Sequence, residues 1–146
     1  LRRVLAETFT IFAVGAVGYG TIEVLVRGHS HISMAVLGGV SMIAIHLLGD
    51  DRRDGASFIG LLSMSALFIT ACEFLAGEIL NVGLKMHIWS YCKTPFNIDG
   101  VICLRYSVCW VFLSVFGFVV DDLVRWKIFG EPLDLDYLKN KRACSL

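Results

Sequence analysis

The sequence predicts an all-α, polytopic membrane protein: a four-transmembrane-helix bundle with an ordered extracytoplasmic loop between its third and fourth helices. Three observations carry that expectation. Hydrophobic residues make up 56% of the 146-residue chain and its mean hydropathy is +0.70, both above the range of water-soluble domains. Only 18% of the residues are charged, and they gather at the ends of four long apolar runs. The longest polar interruption, Trp89–Gly100, carries its own turn chemistry and leads straight back into an apolar run. Residues 1–146 read as a single integral membrane domain.

The first span is expected at about 5–26. Spanning takes about 20 apolar residues, and this run suffices with Glu7 at one boundary and Glu23 near the other. It is of full spanning length and lacks a small-residue cleavage pattern, so it reads as a span rather than a cleavable signal. Gly15, Ala16, Gly18 and Gly20 would let another helix approach closely. Gly15, Tyr19, Glu23 and Arg27 form a stripe at i, i+4 spacing, along which Glu23 and Arg27 can pair. The polar turn Arg27–His31 leads to a second span at about 32–49, with Gly38 and Gly39 again suited to close packing. His46, near its far end, reads as a hydrogen-bonded interfacial residue, and Asp50–Gly55 (DDRRDG) as a tight, solvated turn.

The third span, about 57–84, is the longest and exceeds the ~30 Å hydrocarbon core, so it should tilt or emerge. Its second half carries Glu73, Glu78 and Asn81, with Glu73, Gly77 and Asn81 on one face. In the loop that follows, Pro95 biases Thr94 away from helix, and Asn97, Asp99 and Gly100 supply turn chemistry. The fourth span is expected at about 101–120, with Arg105 one turn inside its start and Asp121, Asp122, Arg125 and Lys127 closing it. Pro132 then stops the helix, and residues 130–146 form a polar cytoplasmic tail.

Basic residues set the expected orientation. Arg2, Arg3, Arg52, Arg53, Arg125, Lys127, Lys139, Lys141 and Arg142 fall on one face, against Arg27, Lys85, Lys93 and Arg105 on the other. Nine against four places a multi-pass protein in the cell membrane with both termini cytoplasmic. The net charge is +0 and no aromatic-interleaved basic patch occurs, so nucleic acid is not an expected partner. Of the five cysteines, Cys72, Cys103 and Cys109 lie in apolar runs, while Cys92 and Cys144 fall on opposite faces; no disulfide framework is expected.

This topology collects Glu23, Arg27, His29, His31, Glu73, Asn81, Trp89, Tyr91, Asn97 and Arg105 at the extracytoplasmic level and leaves the cytoplasmic half of the bundle almost purely apolar. Ionisable groups at membrane depth are expensive and default to functional-site candidates. Glu23 and Glu73 are the candidate ligand or proton sites, with Trp89 and Tyr91 as walls and Asn97 as a hub that holds the loop. Arg105 is the expected counter-charge to Glu73, with Glu23 its only rival. No catalytic residue, metal or cofactor is assigned.

Trp89-Ser90-Tyr91, Pro95-Phe96-Asn97, Gly100-Val101-Ile102-Cys103-Leu104, Ser107 and Trp110 resemble the W-D-Y-S…P-x-N…G-x-I-C-L…S…W signature of the family known as Putative ABC-transporter type IV. The resemblance extends through Glu23, Arg27–His31, Met34, Gly38-Gly39, Glu73, Gly77 and Asn81 upstream, and Asp121-Asp122 downstream. It implies a multi-span bacterial membrane protein of the permease type. Ser90 stands where the family has Asp, so a role that needs a carboxylate beside Trp89 is not supported. The chain has no G-x-x-x-x-G-K-[ST] phosphate loop and does not bind ATP by that route. The Asp50–Gly55 turn is too short for a docking helix; the C-terminal segment could serve a partner ATPase instead, but nothing in the sequence requires one.

Three readings stand at this point. The first is a membrane module that binds or transports a small molecule or lipid through the extracytoplasmic polar cluster, as a permease-like component. The second is a structural or partner-binding membrane protein, a homodimer or one half of a hetero-complex, in which the polar groups only neutralise one another. The third is a metal-dependent membrane enzyme using His29, His31, Glu23 and Glu73, the residue types of a zinc site. A closed, internally paired cluster favours the second, an open cavity the first, and convergent metal ligands the third.

Overall fold

The computed structural model describes residues 2–137. Four helices dominate: α1 (Arg2–Arg27), α2 (Ile32–Arg53), α3 (Phe58–Gly77) and α4 (Leu104–Phe129). All four are long and apolar enough to cross a membrane. The protein is thus a multi-pass, all-α membrane protein. At 26 residues, α1 and α4 are each about 39 Å long, longer than the ~30 Å hydrocarbon core. The guanidinium of Arg3 lies 3.4 Å from the Phe129 carbonyl and 3.4 Å from Glu131, so the start of α1 and the end of α4 share one end of the bundle, the termini end. The long loop after α3 occupies the other, the loop end.

α1 and α2 form a hairpin. Gly28, at φ 78°, stops α1, its N–H bonding to the Val24 carbonyl at 2.8 Å. His31 then caps α2 by accepting the Ser33 N–H at 3.2 Å. The two backbones touch where Gly15 faces Gly38: a Cβ on Gly38 would stand 2.5 Å from Tyr19 Cβ and 2.8 Å from the Gly15 carbonyl oxygen. Without a hydrophobic effect between helices in lipid, such close dispersion contact is what holds a hairpin. Gly20, one turn beyond Ala16 on the same face of α1, meets nothing closer than Ala35 Cβ at 3.9 Å.

Three apolar clusters follow the bundle axis: Met34, Leu37 and Trp89 at the loop end; Ala66, Ile69 and Trp110 in the middle; Ile45, Leu61 and Phe118 at the termini end. α2, α3 and α4 supply most of them. α1 buries only Ile11 and Glu23, leaning on α2 and leaving a gap toward α4.

The end of α2 and the start of α4 differ from the sequence reading, each for a physical reason. α2 continues through Asp50–Arg53, because Gly55, at φ 94°, and not the charged run makes the turn. α3, continued by a π-helical stretch over Glu78–Gly83, keeps to the expected span of about 57–84. α4 starts only at Leu104, because Ile102–Cys103 (β2) first pairs antiparallel with Asn97–Ile98 (β1). The tail does not leave the bundle at once: the Tyr137 ring packs 4.9 Å from that of Phe58. Lys139, Lys141, Arg142 and Cys144 lie outside the described residues; Cys72, Cys92, Cys103 and Cys109 are all free thiols.

Gly38→Val should lower stability by at least about 1–3 kcal/mol, the cost of overpacking a tight contact, whereas Gly20→Ala should be near neutral. Reversible unfolding of the two variants in mixed micelles checks this; equal losses would show that the Gly15–Gly38 contact does not hold the hairpin.

Candidate functional site

The loop-end site is assembled by side chains that stand in for missing ladder bonds. Asn81, in the π-helical stretch, accepts the Ile88 N–H at 2.8 Å and donates to the Trp89 carbonyl at 2.9 Å, pinning the returning chain. The buried Trp89 indole donates to the Val101 carbonyl at 2.9 Å. Asn97 closes the Pro95 turn, donating to the Thr94 carbonyl at 2.7 Å and accepting the Gly100 N–H at 3.1 Å. Gly77 makes room for this arrangement, since a Cβ there would lie 2.5 Å from Val101 Cβ. Lys85, His87, Phe96 and Asp99 all take positive φ, so the loop holds four side-chain-bearing residues in a region that suits glycine. Such strain persists only where the surroundings over-determine the conformation.

The loop thereby delivers Tyr91 to Glu73. Glu73 is 0% exposed in the apolar helix α3. Its Oε1 accepts the Tyr91 hydroxyl at 2.9 Å and its Oε2 the Trp110 indole N–H at 3.0 Å. Burial, then the neighbouring Glu73 carboxylate, push the Tyr91 phenol far above its ordinary range and keep it a donor. The expected Glu73–Arg105 pair is not formed. With α4 beginning at Leu104 rather than Val101, Arg105 lies in the first turn, exposed, and two neutral donors take its place.

Glu23, 4% exposed, is the second buried carboxylate. It accepts from Arg27 at 2.6 Å and from the Ser30 hydroxyl at 2.6 Å, and Arg27 also reaches the Ile88 carbonyl at 3.2 Å. Beside this pair opens a cavity of about 510 Å³, bordered by Glu23, Arg27, Trp89, Ser90, Tyr91, Thr94, Tyr106 and Trp110. The Tyr91 and Tyr106 rings stack at 4.8 Å on its wall.

Of the ten candidates read from the sequence, Glu23, Arg27, Trp89 and Tyr91 therefore border one cavity, and Glu73 fixes two of its walls from behind. Asn81 and Asn97 hold the loop. His29, exposed, faces its own turn with Nδ1 3.1 Å from the Arg27 carbonyl, and His31 is the cap of α2. Among the described residues no group of three or more His, Cys, Asp or Glu is placed to hold a metal ion.

The termini end overturns the expectation of an apolar half. Asp122, 2% exposed, accepts from Arg52 at 2.8 Å, Arg53 at 3.0 Å and the Tyr137 hydroxyl at 2.6 Å. Arg125 donates to Asp121 at 2.9 Å, Asp50 at 2.7 Å and the His46 carbonyl at 2.7 Å, while His46 Nδ1 lies 2.7 Å from Asp121 Oδ1. Because α2 stays helical to Arg53, Arg52 points inward instead of into solvent. The readable signal was complementarity: Arg52-Arg53 near one helix end against Asp121-Asp122 near another. The network fastens α2, α4 and the start of the tail together and does not border the loop-end cavity.

Four membrane-crossing helices with a mostly apolar cavity, edged by Glu23 and Arg27, beneath a side-chain-pinned loop define a small multi-pass membrane protein with a candidate binding pocket. Residues 17–129 match the model of the family described as Putative ABC-transporter type IV, a stretch that takes in the pocket and both polar networks up to Arg125. The chain belongs to that family. No curated protein and no solved structure matches it.

Glu73→Gln, which turns one acceptor oxygen into a donor against Tyr91 or Trp110, should destabilise by about 1.5–3 kcal/mol. Arg105→Gln should stay within about 0.5 kcal/mol; comparable losses from the two would restore the Glu73–Arg105 pair. At the other end, Asp122→Ala strands two arginines and should lose about 3–5 kcal/mol. Asp50, whose side chain is 58% exposed, should lose under about 1 kcal/mol as Asp50→Ala. Unfolding of each single variant in mixed micelles decides both comparisons.

Proposed function

We propose that this protein is a permease-like binding component that takes up a small amphipathic molecule or lipid from one face of the membrane. The observation that carries the reading is the cavity beside Glu23 and Arg27: the Arg27 guanidinium lies at an accessible wall, with its buried partner Glu23 behind it. Aromatic walls with a few converging polar groups are the usual make-up of a ligand pocket. The nine-to-four basic bias supports a cytoplasmic termini end, so the pocket would face outward.

The structural reading draws support from one specific observation: Glu23 and Glu73 each have partners within the chain, so neither charge demands a ligand. The two readings separate on what Arg27 does. A full chain released gently from its membrane should carry a bound molecule in its native mass spectrum. Arg27→Ala, with its thermal stability measured in parallel, should lose most of that occupancy, about tenfold or more. Equal occupancy in both proteins, or none in either, would leave the structural reading.

Orientation is checked separately in a cysteine-free background. Lys93→Cys should react with an impermeant maleimide from outside intact cells, and Asp51→Cys only after permeabilisation; the reverse pattern would put the pocket on the cytoplasmic face.

A further inference from the structure

The loop-end cavity does not end at the level of Trp110. A second cavity, of about 370 Å³, runs on through the gap between α1 and α4 toward the termini end. Tyr19, Ile22, Trp110, Leu113 and Phe116 border both cavities, so the two adjoin, with the Tyr19 and Trp110 rings in contact at 5.6 Å where they meet. The character of the wall changes along this groove. The upper part has Glu23, Arg27, Tyr91 and Tyr106; the lower part has no charged side chain and is mostly apolar, its polar-bearing side chains being Tyr19, Ser41, Trp110 and Ser114. Ile22 and Phe116, at 43% and 68% exposure, leave its side open where the bilayer would lie.

Gly18 makes the gap more than a packing defect. Gly15 and Gly38 are small because another backbone touches them, but a Cβ on Gly18 would meet no protein atom within 4 Å. Gly18 lines the groove and keeps a strip of it vacant of protein. The polar end offers one guanidinium and one carboxylate, already 2.6 Å apart, among the rings of Trp89, Tyr91, Tyr106 and Trp110. Aromatic faces beside a carboxylate suit an ammonium group, and a guanidinium suits a phosphate. A head carrying both charges can meet Glu23 and Arg27 together and leave no net charge uncompensated; a purely anionic head would face Glu23.

We propose that the groove between α1 and α4 binds a zwitterionic, amine-bearing phospholipid, its head at Glu23 and Arg27 and an acyl chain along Gly18. This rests on the reading that the loop-end cavity binds an amphipathic molecule and names the class of that molecule. The test adds phosphatidylethanolamine or phosphatidylglycerol with the same chains to delipidated full chain in maltoside micelles, read by native mass spectrometry. Phosphatidylethanolamine should be retained at least about fivefold better, and chainless glycerophosphoethanolamine should not displace it. Gly18→Leu should lose it at least about fivefold with no fall in Tm, since the added side chain enters empty space.

Equal or better retention of phosphatidylglycerol overturns the head assignment. Full retention by Gly18→Leu, displacement by the chainless head, or a fall in the Tm of that variant overturns the chain site. The fate of the broader reading is separate. If the Arg27-dependent molecule in the native spectrum proves to be chainless, the pocket stands and the lipid proposal falls. If Gly18→Leu loses the lipid but Arg27→Ala keeps it, the groove binds chains and the polar pocket is not its head site.

Discussion

A carboxylate with no accessible surface, set in an apolar helix, obliges the rest of the chain to supply its partners. Glu73 is that constraint. Leaving a charge alone at membrane depth costs at least about 2.5–3.5 kcal/mol on insertion scales, and the chain answers with two neutral donors, the Tyr91 phenol and the Trp110 indole. Trp110 fixes the rotation of α4. Tyr91 lies in the loop, so the loop must be held in one conformation to present it. That requirement accounts for the side-chain clasp of Asn81, the indole bond of Trp89 to Val101, the Asn97 turn and the absence of a side chain at Gly77. The four positive-φ residues of the loop are tolerated in the same framework.

The two ends of the bundle solve the polar problem differently. At the loop end, carboxylates are met by hydroxyl, indole and a single guanidinium, and a cavity remains beside them. At the termini end, Arg52, Arg53 and Arg125 interlock with Asp50, Asp121, Asp122, Asp134, Glu131, His46 and, from the tail, Tyr137. Each arginine there reaches more than one acceptor, and guanidinium geometry favours such multiple recognition. A network of this kind fixes geometry; the loop end keeps space.

Much of this was legible in the sequence. Four spans follow from apolar length, the Glu23–Arg27 pair from i, i+4 spacing, and the ordered loop from Pro95, Asn97 and Gly100. What was not legible depended on where helices start and stop. Reading α4 from Val101 placed Arg105 a full turn inside the membrane and made it the natural partner of Glu73. The short β1–β2 pairing moves the helix start to Leu104 and leaves that arginine at the surface. Reading Asp50–Gly55 as a turn exposed Arg52, whereas one more helical turn buries it against Asp122. A shift of a few residues rotates a side chain to the opposite face of a helix, so polar residues near span ends are where sequence periodicity is least informative. The gap between α1 and α4 has no sequence signature, because Gly15 and Gly18 look alike until their neighbours are known.

The fastening of α1 gives that gap a particular shape. Near its start Arg3 reaches the Phe129 carbonyl and Glu131 beyond α4; near its end Arg27 reaches the Ile88 carbonyl in the loop. Between them α1 meets α4 through the Tyr19–Trp110 ring contact and otherwise stands apart from it. The opening is therefore a framed window, with a crosspiece near each end of α1. For the lipid proposed for the groove, exchange through such a window would be two-dimensional: its rate would follow the mole fraction of that lipid among neighbouring bilayer molecules, not its concentration in water.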